Sequence, residues 1–144
     1  MTVFLLDTNI VSLFDPRRRE QNGALLAWLH DHDAALYLSA ITVLEIESGR
    51  LKLLREAKEA RARDIEALRI ELMAGFATRI LPVDASAALA AAQIADAAKP
   101  HVIEAKDLLI AATARTHGLT VLTRNLRHFL PTGVPCHDPT ERLP

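Results

Sequence analysis

The sequence predicts an α/β fold, a three-layer α/β/α sandwich built on a mostly parallel sheet of about five strands. Short, mostly apolar segments alternate along the chain with longer segments of helical periodicity, a pattern typical of α/β proteins. The short segments are apolar at successive positions, as expected for strands that helices cover on both faces. The 144 residues, half of them hydrophobic, suffice for one domain with a substantial core and are too few for two.

The predicted strands occupy residues 3–6, 35–39, 79–83, 120–123 and 134–138. Right-handed crossovers between parallel strands bring the carboxyl ends of the strands to one edge of the sheet. Open α/β sheets bind their ligands at that edge. We therefore expect a functional site there, and we expect residues 1–144 to form a single domain, because no linker, repeat or low-complexity segment divides them.

The first two helical segments lie between these strands. Residues 23–33 carry Leu25 and Leu29 at helical spacing. Residues 41–77 form a long helical region that is expected to contain two helices. Gly49 is one place where this region could bend, because glycine weakens a helix interior, but the sequence does not fix the break.

Two further helices are predicted in the second half of the chain. Residues 84–98 are rich in alanine, and either Asp84 or Ser86 can cap the start of this helix. Residues 104–118 form the next helix, which Gly118 closes at the position where a left-handed residue is favoured.

Composition narrows the class of protein. The chain has 17 basic and 18 acidic residues and a net charge of −1, so no global basic excess indicates nucleic-acid binding. Cys136 is the single cysteine, which excludes an intrachain disulfide and indicates a reducing compartment. The N-terminus lacks a basic segment typical of signal peptides, and no apolar run could span a membrane. We expect a cytoplasmic protein with no membrane partner.

The N-terminal segment VFLLDTN places an acid directly after a buried-looking strand. Asp7 follows four apolar residues, and Thr8 and Asn9 follow Asp7. Any of these three side chains can cap a helix by accepting from free backbone N–H groups. Asp7 also stands at the carboxyl end of a predicted parallel strand, where ligands bind. From this segment alone, both interpretations stay open.

The helix at 104–118 carries a second acid of this kind. Asp107 shares one helical face with Ile110, Ala111 and Ala114. That face is otherwise small and apolar, which predicts that it packs on the sheet. Asp107 also lies in the first turn, where the helix dipole favours an anion, so an ordinary first-turn aspartate is the competing interpretation.

A third acid lies in the segment LSAITVLEIESGRL, where periodicity leaves two candidates. Glu45 shares an arc with Ile41, whereas Glu47 falls among the apolar residues Leu44 and Leu51. Helical geometry therefore does not select Glu45, and makes Glu47 the more unusual residue.

Asn125 follows the strand at 120–123 and is by itself an ordinary turn or cap residue. Together with Asp7, Glu45 and Asp107, it completes a set of oxygen-bearing side chains near one edge of the predicted sheet. Three carboxylates in one place repel one another unless a cation is present, and oxygen ligands suit Mg²⁺ or Mn²⁺ rather than zinc. Such an ion can activate water and neutralise charge on a phosphodiester, which points to a nuclease.

Several segments in register resemble PIN-domain ribonucleases, above all the VapC/FitB-type toxins of bacterial toxin–antitoxin systems. The resemblance covers nearly the whole chain in order and spacing. The segments that carry it are LLDTNIVS at 5–12, LSAITVLEIESG at 38–49, RILPVD at 79–84, DLLIAATARTHGLTVLTRN at 107–125 and HF at 128–129.

The resemblance implies a metal-dependent endoribonuclease in which Asp7, Glu45 and Asp107 bind Mg²⁺ or Mn²⁺ and position the water that cleaves RNA. It thereby selects Glu45 over Glu47. Many relatives carry a fourth acid where this chain has Asn125. An amide can ligate or orient water but adds no negative charge, so the number of ions that the site uses stays open.

The resemblance also implies supporting residues and partners. Thr8, Asn9 and Thr123 match polar residues that order the loops around the acids. Arg124 is the favoured candidate for an RNA contact because it adjoins the expected site. The expected partners are an RNA substrate, a cognate VapB-like antitoxin and a second copy of the chain in a homodimer. In relatives, the helical arm at 50–76 helps to bind the antitoxin.

Other functions remain to be weighed against the nuclease. A catalytically weak PIN-like module could hold nucleic acid or antitoxin without cutting, and Asn125 motivates this alternative. A phosphatase with Asp7 as nucleophile fits less well, because that chemistry usually requires a second acid two residues later, where the chain has Asn9. The arginines in DPRRRE at 15–20 could contact RNA phosphates, although such a run is more often a solvated loop.

Overall fold

The computed structural model describes residues 1–144 and contains five strands and seven α-helices. The strands are β1 (Phe4–Leu6), β2 (Leu36–Ser39), β3 (Ile80–Leu81), β4 (Thr120–Leu122) and β5 (Cys136–His137). The helices are α1 (Thr8–Val11), α2 (Gly23–Asp31), α3 (Ala40–Arg55), α4 (Glu59–Phe76), α5 (Ala85–Ala98), α6 (Ala105–His117) and α7 (Leu126–Phe129). Short 3₁₀ turns connect several of these elements.

All neighbouring strands pair in parallel, in the order β3-β2-β1-β4-β5. The chain winds outward from β1 to β3 and then returns to the other side of β1 with β4. The strand order therefore reverses between β1 and β4, and ligands of open α/β sheets bind beside the carboxyl ends of the strands at such a reversal. The predicted fold class and sheet are confirmed.

The core lies on both faces of this sheet. Phe4 and Leu6 belong to the cluster that includes Leu72 of α4, whereas Leu5 belongs to the cluster that includes Ile110 of α6. Successive residues of a strand point to opposite faces, so β1 is buried by helices on both sides. This is why the strand is apolar at every position.

The long helical region contains two helices, as expected, and the break that the sequence left open lies at residues 56–58 rather than at Gly49. Gly49 lies inside α3, which ends at Arg55. The Lys58 N–H donates to the Leu53 carbonyl and the Ala57 N–H donates to the Leu54 carbonyl. These two bonds form a Schellman motif. Ala57 takes the left-handed position, with φ +57°, where a glycine would be expected.

Two other helix ends follow the sequence. Asp84 caps α5 by accepting from the Ala87 N–H at 3.0 Å, so Asp84 rather than Ser86 starts this helix. Gly118 closes α6 with φ +68°, as predicted. The helices α1 and α7 begin directly after Asp7 and Asn125, which the sequence offered as possible caps. Their extents were not predicted, because four residues are too few for a periodic pattern.

Gly118 ends α6 with a second Schellman motif, since the Leu119 N–H donates to the Ala114 carbonyl and the Gly118 N–H donates to the Arg115 carbonyl. Ala57 and Gly118 therefore give a matched pair of substitutions. Alanine in the left-handed region costs about 1–2 kcal/mol relative to right-handed backbone. We expect Ala57→Gly to raise the free energy of unfolding by about 1 kcal/mol. We expect Gly118→Ala to lower it by about the same amount, since a Cβ there would meet no atom within 4 Å and only the backbone is strained. Urea unfolding of both variants measures these changes, and a destabilised Ala57→Gly variant would contradict the prediction.

Candidate active site

Asp7 lies where β1 ends beside β4, at the reversal of strand order. Its backbone N–H donates to the Leu122 carbonyl at 2.9 Å, which extends the pairing of the two strands by one residue. The side chain is buried, with the residue 5% exposed. Oδ1 accepts from the Thr8 N–H at 2.8 Å and Oδ2 accepts from the Thr123 hydroxyl at 2.8 Å. Asp7 therefore caps α1 and also presents a carboxylate at the edge of the sheet.

Thr8 connects this carboxylate to the next strand along the sheet. Ser39, the last residue of β2, caps α3 by accepting from the Ile41 N–H at 3.1 Å, and α3 then carries Glu45 toward Thr8. The Thr8 hydroxyl donates to Glu45 Oε1 at 2.8 Å. Asp7 and Glu45 are thus joined through one intervening threonine.

Glu47 points away from this edge. Its carboxylate contacts Arg50 of the same helix at 2.5 Å and Arg69 of α4 at 3.1 Å. The two arginines lower the pKa of Glu47, so this acid is already neutralised by the helical hairpin. Periodicity left the choice between Glu45 and Glu47 open. In the folded chain, only Glu45 lies at the strand ends.

Asp107 approaches from the first turn of α6. The buried residues Ile110, Ala111 and Ala114 hold its helix face against the sheet, as predicted. The Asp107 side chain is 18% exposed, and its Oδ2 lies 3.3 Å from Nδ1 of His128. This contact ties the acid to α7, the short helix that follows β4.

The three carboxylates share an electrostatic environment that disfavours their charge. Burial is the largest cause that raises the pKa of Asp7, Glu45 and Asp107. Repulsion adds to it: Asp107 raises the pKa of Asp7, Asp7 raises that of Glu45, and Glu45 raises that of Asp107. Hydrogen bonds from Thr123 and Thr8 act in the opposite direction. A cation at this edge would remove the repulsion.

The site offers carboxylate oxygens as the donors for such a cation. No three His, Cys, Asp or Glu side chains converge at a spacing that would enclose a metal ion. Both Asp7 oxygens and one Glu45 oxygen also accept hydrogen bonds from hydroxyl and amide donors. Mg²⁺ usually keeps several waters and is held by one or two carboxylates. The oxygen donors and the uncompensated negative charge fit a hydrated ion of this type.

A second layer of polar residues fixes the loops around Asp7. Asn9 accepts from the Arg124 N–H at 3.1 Å and donates to the Thr123 hydroxyl at 3.4 Å. Thr123 also accepts from the Asn125 N–H at 3.0 Å. Thr8, Asn9 and Thr123 thus form one network between β1 and β4. The Asn125 side chain is exposed and makes no hydrogen bond within the chain.

Two residues at this site were not predicted. The contact of His128 with Asp107 depends on how α7 packs against α6, which no local pattern shows. Glu104 was read only as the start of a helix. It is the N-cap of α6, and it raises the pKa of both Asp107 and Glu45. The signal for Glu104 is its spacing of three residues from Asp107, which places both acids in one helical turn.

The arginines of residues 15–20 are tied to the chain itself. Arg17 pairs with Asp64 of α4 at 3.5 Å, and Arg19 donates to the Phe14 carbonyl at 3.0 Å. Arg61 pairs with the buried Asp15 at 2.5 Å. The Arg17 and Asp15 contacts attach the segment to α4. No helix is both long and apolar enough to cross a bilayer.

A parallel sheet that carries buried and half-buried carboxylates where its strand order reverses defines a class of α/β proteins with an acidic site. The model of the PIN domain family matches residues 4–130. The chain is 41% identical to Toxin FitB of Neisseria gonorrhoeae, over 95% of this chain and 98% of that protein. It is 35% identical to VapC ribonuclease Y4jK of Sinorhizobium fredii, over 96% of this chain and 99% of that protein.

A solved structure shows the same fold. The crystal structure of FitAcB from Neisseria gonorrhoeae superposes with a TM-score of 0.75 at 39% identity, covering 95% of this chain and 98% of that one. The chain therefore belongs to the PIN-domain family, as its segments in register indicate.

Substitutions of two buried threonines, Thr123 and Thr113, test the hydrogen-bond network around Asp7. We expect Thr123→Val to raise the pKa of Asp7, because the hydroxyl stabilises the carboxylate at 2.8 Å. The variant is also expected to lose about 1–3 kcal/mol of unfolding free energy, since a buried acceptor is left unpaired. Carboxyl ¹³C NMR over a pH titration measures the first change and urea unfolding the second.

Thr113→Val is the control. Thr113 is equally buried, and its hydroxyl donates at 2.8 Å to the Leu109 carbonyl of its own helix. This change leaves no carboxylate unpaired, so the pKa of Asp7 should not move. Equal effects of the two substitutions would show that the Thr123 hydroxyl has no special relation to Asp7.

Proposed function

We propose that residues 1–144 act as a single PIN-like domain, a metal-dependent endoribonuclease that is the toxin of a toxin–antitoxin module. The observation that carries the proposal is the group of buried or half-buried carboxylates, Asp7, Glu45 and Asp107, at the reversal of the parallel sheet. The similarity to a protein named Toxin FitB and to one named VapC ribonuclease supports both parts of the proposal.

Mg²⁺ or Mn²⁺ is the proposed cofactor, with Asp7, Glu45 and Asp107 as its protein ligands. When bound, the ion would activate water and neutralise charge on the scissile phosphodiester. The chain's contribution is to hold three negative charges at one edge of the sheet with their orientation fixed by neighbours. Thr8 orients Glu45, and Thr123 orients Asp7.

The residues after β4 are proposed to face the substrate. Arg124 and Asn125 are exposed directly beside the Asp7 network. The guanidinium of Arg124 is suited to a phosphate of the RNA backbone. Asn125 is suited to orient a water or a phosphate oxygen through its amide, and we place it among the residues that contact the reacting groups.

The proposed protein partners are a VapB-like antitoxin and a second copy of the chain. Their support is the resemblance to VapC/FitB-type toxins, together with the similarity to the protein in the FitAcB structure over 95% of this chain. A binding module without catalysis is the second candidate. The specific observation in its favour is that the carboxylates do not converge at metal-coordinating spacing.

Substitutions of Glu45 and Glu47, which lie two residues apart on α3, test the proposed nuclease activity. We expect Glu45→Gln to lose Mn²⁺-dependent RNA cleavage by about 100-fold or more, beyond the 10–100-fold typical of residues that only support a ligand. Glu47→Gln breaks the pairs with Arg50 and Arg69 but leaves the strand ends intact, so its cleavage should stay within a few-fold of wild type. Gel assays with several RNAs, with and without a chelator, measure this.

Asp7→Asn and Asp107→Asn are expected to abolish both cleavage and growth arrest on expression, with circular dichroism showing that the fold survives. Chelator-sensitive cleavage by these variants at the wild-type rate would contradict the site assignment. If wild-type protein shows no chelator-sensitive cleavage of any RNA but still binds RNA or antitoxin, the binding module is the correct function.

A further inference from the structure

A cavity opens beside the proposed active site, between the segment that precedes α6 and the helix α7. Its volume is about 230 Å³, and Asp107 is the one proposed metal ligand that lines it. Since neither Asp7 nor Glu45 lines this cavity, it lies next to the group of carboxylates and does not coincide with it. A substrate that spans the carboxylates can therefore place a non-reacting part in the cavity.

The walls of this cavity combine planar and apolar side chains. His101 and His128 contribute imidazole rings, and Val102, Ile103 and Pro131 contribute apolar surface. Val102 is 96% exposed, which is ordinary for a single valine, but here it belongs to a wall that a flat, uncharged group would cover. Unpaired RNA bases stack on side chains such as histidine. The volume is below the roughly 300 Å³ at which pockets for drug-sized ligands begin, so the cavity suits one base better than a larger ligand.

His128 is already oriented for such stacking. Its Nδ1 lies 3.3 Å from Oδ2 of Asp107, and its side chain is 45% exposed. The contact restrains the ring, while the exposed part of the ring stays available to a ligand. A side chain that is held in its binding orientation loses less conformational entropy when the ligand arrives. The ring can therefore serve as a fixed stacking surface.

Charge decides which part of a nucleotide the cavity accepts. The carboxylates of Glu104 and Asp107 line it and would repel a phosphate, whereas they can accept hydrogen bonds from the amino group of a base. A phosphate requires a cation, and Arg127 of α7 is exposed on the same cavity. Arg127 forms no ion pair within the chain, whereas Arg61 and Arg69 are paired with acids. Its guanidinium is thus available to a backbone phosphate.

We propose that this cavity binds the base of the nucleotide next to the scissile phosphate, and that Arg127 binds a phosphate of the same nucleotide. The Arg124 N–H, three residues earlier, is bound to Asn9 beside the Asp7 network, so the two arginines mark a path for the RNA backbone along the segment that follows β4. The proposal rests on the proposed function, because it assumes that RNA is the substrate. It adds a subsite for a base, which the acids and Arg124 do not provide.

The first test is the salt dependence of RNA binding. The Glu45→Gln chain with Mn²⁺, which is not expected to cleave, is titrated with short fluorescent RNA oligonucleotides at several KCl concentrations. Loss of one phosphate contact reduces the slope of log K against log[KCl] by about 0.7 for a single strand, and we expect this reduction on adding Arg127→Gln. Arg115→Gln is the matched control, because Arg115 is an exposed arginine that lines a different cavity. It should leave the slope unchanged.

The second test removes the base in place of the side chain. A single abasic nucleotide is moved through the oligonucleotide, and at one position next to the bond that wild-type protein cleaves it should weaken binding about tenfold, as expected for the loss of one stacked base. His128→Asn removes the ring but keeps an amide nitrogen that can contact Asp107. This variant should bind the intact RNA about tenfold more weakly and should bind that abasic RNA as tightly as the chain with His128 does.

The outcomes are distinct. A reduced slope for Arg127→Gln alone, together with a His128→Asn defect that is absent with the abasic RNA, supports the subsite. Equal slopes for Arg127→Gln and Arg115→Gln overturn the inference while the proposed function stands. A His128→Asn defect of equal size on intact and abasic RNA also overturns it, because the ring would then act only through Asp107. If wild-type protein neither binds nor cleaves any RNA, the proposed function fails and the inference fails with it.

Discussion

The pairing of β1 with β4 is the constraint on which the site depends. These strands are adjacent in the sheet but 116 residues apart at the hydrogen bond between Thr123 and Asp7. The same pairing places the Asp7 N–H on the Leu122 carbonyl and creates the point where the strand order reverses. A slip of one residue in this register would turn Asp7 toward a helix layer and bury its charge without a partner.

Around this pairing, uncharged side chains hold the acids in place. Thr123 and the Thr8 N–H bind Asp7, and the Thr8 hydroxyl binds Glu45. Hydrogen-bond donors that carry no charge can orient a carboxylate without neutralising it, so the negative charge remains available to a cation. Glu47 shows the contrast, because its two arginine partners already compensate its charge. The polar residues thus prepare an anionic site at the cost of mutual repulsion among its members.

Much of the fold could be predicted from the sequence, because burial on both faces makes each strand apolar and because caps such as Asp84 and Gly118 mark helix ends. The break after α3 could not be predicted, since Ala57 occupies a left-handed position that sequence rules assign to glycine. The site could be predicted in part. Asp7 and Asp107 stand out in apolar surroundings, but Glu45 and Glu47 differ only in what packs against them, which no periodic pattern records.

By itself the sequence determined the alternation of strands and helices, the edge of the sheet where a site would form, and the acids that could form it, because these follow from local hydrophobic pattern and side-chain chemistry. The tertiary structure alone decided which acids meet. Glu45 reaches the site through Thr8, and His128 reaches Asp107 through the packing of α7. Each of these contacts joins residues that are far apart in the chain, so only the packing of the folded chain brings them together.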